Sequence, residues 1–159
     1  MKHTLLILLL LLSTRLSAQI NPEPAPGKAP DVRPISKLSW STDLKQALAK
    51  AKRLHRNVFI DFTGYYCTNA RMMEATVFKN PEVISLLENF VLVRLYCDDD
   101  TPDNKANARL EKKRFKTVAI PSYVILSPQN KKLALFEGQT RDEQAFIDFI
   151  KNSTPPQSE

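Results

Sequence analysis

The sequence predicts a three-layer α/β domain in which a mixed sheet carries helices on both faces. Three observations lead there. Short β-branched runs alternate with stretches of helical period. A long helical crossover separates the first two strong strands, which makes them parallel. The short turn Ser127-Pro128-Gln129-Asn130 separates the last two, which makes them an antiparallel hairpin.

The elements follow in order. Ser41 is placed to cap a first helix, with Asp43 in its first turn and Leu44, Ala47, Leu48, Ala51 and Leu54 on one face. Asn57 to Phe62 is a short apolar run ending at Thr63-Gly64, suited to a strand buried on both sides. Cys67 opens a second helix that reaches about Phe78. Asn80-Pro81 then restarts the helix as cap and first-turn proline, with Val83, Leu86, Leu87 and Phe90 inward. Val91 to Cys97 is the second strong strand, closed by Asp98-Asp99-Asp100. A polar helix covers about Asp103 to Lys116, and Ile120-Pro121 leads into strands Ser122–Leu126 and Lys132–Glu137. Thr140 and Glu143 read as a capping box for a last helix bearing Phe146, Phe149 and Ile150.

The flanks do not belong to this pattern. Lys2, the apolar run Leu5 to Leu12 and the small residues at Ser17-Ala18 have the three-part layout of a cleaved secretory signal over residues 1–18. The run is too short for a membrane span, which needs roughly 20 apolar residues. A proline-rich leader covers 19–37, the domain runs over 38–152, and a tail follows over 153–159. The expected location is therefore the periplasm or the outside of the cell, with no stable membrane insertion once the signal is gone.

Composition narrows the function. The net charge is +6, and +4 once Lys2 and Arg15 leave with the signal. The basic residues are scattered, with clusters at Lys50 to Arg56 and Lys112 to Lys116 on helical stretches. That reads as solvated helix faces rather than the dense, aromatic-laced stripe of a nucleic-acid binder. Two cysteines and, past the signal, the single His55 do not suffice for a closed zinc site, so neither a metal nor another cofactor is expected.

The chemistry-bearing residues gather around Cys67. A cysteine at a helix start meets unpaired N–H groups and the positive end of the helix dipole, which favour the reactive thiolate; the plainer reading is an inert buried thiol. Asp61 is an expensive choice within an apolar strand unless it is hydrogen-bonded or neutral. Tyr65 and Tyr66 flank the thiol, either as an apolar docking rim or as ordinary turn aromatics. Cys97 ends the neighbouring parallel strand at the same sheet edge, where it is either a redox partner of Cys67 or a core cysteine. Pro121, at a strand start, suits a cis bond that turns the Ile120 backbone toward the cysteine.

Asp61-Phe62-Thr63-Gly64-Tyr65-Tyr66-Cys67 resembles the first strand and active-site approach of the thioredoxin superfamily, and Ile120-Pro121 resembles its cis-proline loop. The closest likeness is to the periplasmic thioredoxin-like domain at the C-terminal end of transmembrane disulfide reductases. Trp40, the Ala-rich first helix, the Asp-Phe-Thr-Gly run and the strand end Leu95-Tyr96-Cys97-Asp98-Asp99 carry it. So does Cys67-Thr68-Asn69-Ala70-Arg71-Met72-Met73-Glu74, except that alanine stands where that family has its second cysteine. The resemblance implies a thioredoxin fold and thiol–disulfide exchange with cysteine-bearing exported proteins or a redox partner protein. It also implies that Asp61 serves proton transfer and that the Ile120-Pro121 backbone pairs with a substrate chain. With Ala70 in the resolving position, a mixed disulfide at Cys67 waits for a thiol from elsewhere. The other expectation is a non-catalytic binding or chaperone-like module for exported polypeptides. No glutathione-binding motif is present.

Overall fold

The computed structural model describes residues 38–153. The expected signal sequence, the proline-rich leader and the tail after Ser153 lie outside them. Five strands, β1 (Trp40–Ser41), β2 (Val58–Thr63), β3 (Val91–Tyr96), β4 (Ser122–Leu126) and β5 (Lys132–Glu137), form one sheet in the order β1-β3-β2-β4-β5. β2 runs parallel to β3, with Thr63 opposite Tyr96, and antiparallel to β4; β4 and β5 form the expected hairpin. The mixed sheet with helices on both faces is thus the observed fold.

Strand parity sorts the core into two layers. Phe59, Leu92, Tyr123 and Ile125 face α2 (Thr68–Ala75), α3 (Pro81–Leu87) and α5 (Glu143–Asn152), which contribute Met73, Val83, Leu87, Phe146 and Ile150. Val58, Ile60, Phe62, Val93, Leu95 and Val124 face α1 (Leu44–Leu54), through Ala47 and Ala51, and the α4 region (Pro102–Leu110), through Leu110 and Phe115. Phe59 is the hub of the first layer, with ring contacts to Trp40, Phe90, Tyr123, Phe146 and Phe149. Truncating such a ring to alanine costs about 3–5 kcal/mol.

Several expectations need correction. Asp43, not Ser41, caps α1 by accepting the Gln46 N–H, while the Ser41 hydroxyl accepts the Asp43 N–H one step earlier. The residues before that turn form β1, an edge strand of two residues that carries too little pattern to read. α2 stops at Ala75, because Thr76 leaves helical geometry and a 3₁₀ turn, Val77–Lys79, leads to the Asn80 cap. The polar helix starts at Pro102, behind a Thr101 cap, and widens into a π-helical turn over Glu111–Phe115. Asp142, not Thr140, caps α5 by accepting the Ala145 N–H, and Glu143 bonds Asn80 instead. No helix among the described residues is long and apolar enough to cross a membrane.

Candidate active site

Parallel strands β2 and β3 deliver their C-terminal ends to one edge, and the chain turns there into α2. Gly64 makes the turn possible: a Cβ on it would lie 2.5 Å from Asp98 Oδ2, which accepts the Tyr66 N–H at 2.9 Å. Cys67 follows as the N-cap residue of α2, half-buried and free. Its S–H donates to the Ile120 carbonyl, 3.4 Å away, across the cis Ile120-Pro121 bond. The helix start and the cis-proline loop therefore meet at one sulfur. Ala70, one turn along α2, is 3% exposed, so the position of the missing thiol is a closed, apolar one.

Exposed apolar side chains stand next to both elements in sequence. Tyr66 is 88% exposed and Val118, two residues before Ile120, is 69% exposed. Tyr65 is held differently: its ring stacks on Tyr96 at 3.8 Å and 4°. The two tyrosines thus separate into a free ring and a fixed one. A cavity of about 640 Å³ lined by Trp40, Lys50, Arg53 and Leu92 lies at the other end of β3 and is no part of this site.

Beneath α2 lies a chain of charges. Asp61, 2% exposed, accepts from Arg94 Nε at 2.9 Å; Arg94 Nη1 reaches Glu74 at 3.0 Å; Glu74 also meets Arg71 Nη1 at 2.7 Å. Arg71 Nη2 returns to the active-site turn by donating to the Gly64 carbonyl at 3.2 Å. The indole of Trp40 covers the Arg94 guanidinium, 4.6 Å from its centroid. Although Asp61 is paired, burial outweighs the attraction of Arg94 and pushes its carboxyl up from the usual 3.8 to about 6. Its Oδ1 has no hydrogen-bond partner among the described residues, which fits a carboxyl that readily holds a proton.

Cys97 shares the sheet edge, its N–H donating to the Thr63 carbonyl at 2.9 Å. Its side chain takes the other face. Residues 91, 93, 95 and 97 alternate onto the layer of Phe62 and Phe115, where Cys97 packs, while Arg94 joins Asp61 on the face of α2. Burial, then Glu111 and Asp98, push its thiol up to about 12. It is free, and its S–H turns back toward the Leu95 carbonyl at 3.6 Å. Cys97 is thus half-buried against that layer. Two further charges escaped the sequence reading, Arg94 and Glu111, and Glu74 entered it only as the end of the motif after Cys67. Arg94 had a signal, as the one charge inside an apolar strand, which demands a partner at the same height on its neighbour.

Three comparisons bear on this geometry. Residues 39–128 match the family model described as thioredoxin-like. The chain is 32% identical over 95 residues to the thiol:disulfide interchange protein DsbD 2 of Pseudomonas aeruginosa, an alignment covering 60% of this chain and 16% of that protein. Among solved structures, a DsbH oxidoreductase superposes with a TM-score of 0.61 at 20% identity, over 81% of this chain and 94% of the other. The oxidised C-terminal domain of DsbD from Neisseria meningitidis superposes with a TM-score of 0.59 at 20% identity, over 73% and 100%.

Proposed function

Because the chain belongs to the thioredoxin-like family, we propose that it performs thiol–disulfide exchange with Cys67 as its lone nucleophile. One observation carries the proposal: Cys67 stands at the helix start against the cis-proline loop, while the closed position one turn on holds Ala70. The step balances simply. The Cys67 thiolate attacks one sulfur of a partner's disulfide, the S–S bond breaks, and the released thiolate takes a proton from solvent or from the Asp61 network. The product is a mixed disulfide at Cys67. Alanine cannot resolve it, so a second thiol, on the substrate or on a redox partner protein, attacks the Cys67 sulfur and regenerates the thiolate. Such a cycle suits disulfide isomerisation or transfer between proteins rather than net reduction. The substrates are cysteine-bearing polypeptides in the compartment reached through the signal over residues 1–18, that is, the periplasm or the exterior.

The test is to mix the reduced protein with a peptide disulfide and quench with acid. Non-reducing mass spectrometry should show a mixed disulfide on Cys67 that a second thiol discharges, and none in Cys67→Ser. No adduct at neutral pH would refute the exchange reading. It would favour the non-catalytic binding module, for which Tyr66 and Val118 offer an exposed apolar surface.

A further inference from the structure

We propose that Glu111 is a positioning residue for Cys67, anchoring through Ser122 the backbone loop that faces the thiol. The inference rests on the reading of Cys67 as the exchange nucleophile. Glu111 is 2% exposed and meets Ser122, whose parity with Val124 in β4 puts the pair on the sheet face opposite α2. Helical period places it there: Asn104 is buried one face-repeat earlier, and the π-helical turn keeps Glu111 and Phe115 both inward. A carboxylate in apolar surroundings is costly unless something compensates. The compensation is one strong contact, since the fully buried Ser122 hydroxyl donates to Glu111 Oε1 at 2.7 Å.

Ser122 is the first residue of β4 and directly follows the cis Ile120-Pro121 bond. The segment from Lys116 to Pro121 has no regular structure. Lys116 turns it with a left-handed backbone, and Thr117 Oγ1 accepts the Ala119 N–H at 3.1 Å. On its far side, the Pro121 carbonyl accepts the Gly138 N–H at 2.9 Å. Beyond those bonds, the side-chain tie from this loop to the layer beneath is Glu111 to Ser122. It fixes where β4 begins and hence where the Ile120 carbonyl points, which is at Cys67 Sγ. Asp61 approaches the same edge from the opposite face. The site is thus braced by one buried carboxyl on each side of the sheet.

The experiment measures exchange with two disulfides: an unstructured peptide disulfide, which needs the loop, and the small aromatic disulfide DTNB, which needs only the thiol. The variants are Glu111→Met, Ser122→Ala, their double and Glu111→Gln. Glu111→Met and Ser122→Ala should each slow peptide exchange about fivefold, the worth of one hydrogen bond. The double variant should be no slower than either single. DTNB rates should stay at the wild-type level. Glu111→Gln should rescue peptide exchange, because its amide oxygen accepts the same hydrogen bond. Peptide and DTNB rates falling together, or a double variant slowed by the product of the singles, would overturn the proposal. If the wild type exchanges with neither disulfide, the reading of Cys67 fails, and amide hydrogen exchange still decides the anchor. Ser122 and Gly138 should then exchange faster in Glu111→Met but not in Glu111→Gln, and unchanged protection would overturn it.

Discussion

Replacing Asp61 by Asn should remove a pH dependence of stability that this one carboxyl imposes. In the folded protein its proton leaves near pH 6 rather than 3.8, because burial dominates over Arg94. Below about pH 3 both folded and unfolded chains hold the proton, and Asp61 contributes no pH dependence. As pH rises from there, the unfolded chain gives up its proton while the folded chain keeps it, so stability falls. Above about pH 7 both are ionised and the loss is complete. The gap between 3.8 and about 6 amounts to about 3 kcal/mol. At 2% exposure, solvent screening leaves that value little reduced. Asn keeps an acceptor for Arg94 Nε, and Arg94 keeps Glu74 at 3.0 Å. The assay is urea unfolding of both proteins in steps across about pH 3 to 7, because other titrating groups cancel in the difference. The stability of Asp61→Asn relative to wild type should grow by about 3 kcal/mol over that range. A difference flat with pH would show that Arg94 holds Asp61 at its ordinary value, and the reasoning would be wrong.

Other expectations follow from the same geometry. Ala70→Cys should form a disulfide with Cys67, seen by non-reducing mass spectrometry, and should reduce insulin in the presence of dithiothreitol; a variant that stays inactive would mean the site has drifted. Cys97→Ala should leave the alkylation rate of Cys67 unchanged and cost about 1 kcal/mol in urea unfolding, because Cys97 packs in the opposite layer. In the native protein Cys97 should label far more slowly than Cys67 at pH 8, its thiol being pushed up to about 12. Gly64→Ala should cost about 1 kcal/mol by displacing the Asp98 carboxylate from the Tyr66 N–H, and the cost should shrink in an Asp98→Ala background, where only the Cβ at 3.0 Å remains.

What the sequence disclosed divides along physical lines. The strands over 58–63, 91–96, 122–126 and 132–137 were legible because each is an apolar run bounded by turn residues. Their directions followed from the lengths of the connections. β1 was not legible, since two residues carry no period. The caps of α1 and α5 lie two positions beyond the residues first expected, because Ser41-Thr42-Asp43 and Thr140-Arg141-Asp142 each offer more than one suitable side chain, and only backbone geometry chooses. At the site, the Cys67 S–H reaches the Ile120 carbonyl beside the cis Ile120-Pro121 bond, and Cys97 packs with the layer of Phe62 and Phe115. Sharing a sheet edge is fixed by topology, whereas sharing a face is fixed by parity, and Cys97 stands an odd number of residues from Arg94. Glu111 was hidden because its helix is polar elsewhere, so one inward carboxylate looked like another solvated charge.

Trp40 gives the molecule its own optical probe. It is the single tryptophan of the sequence, and its ring lies over the guanidinium that holds Asp61. A cation against the indole face alters the emission of the excited state, and the placement of that cation depends on whether Asp61 carries charge. Fluorescence of the unlabelled protein should therefore report the protonation of a carboxyl buried beneath α2. An emission change with a midpoint near 6 in the wild type, absent from Asp61→Asn, would let the proton be followed while Cys67 reacts.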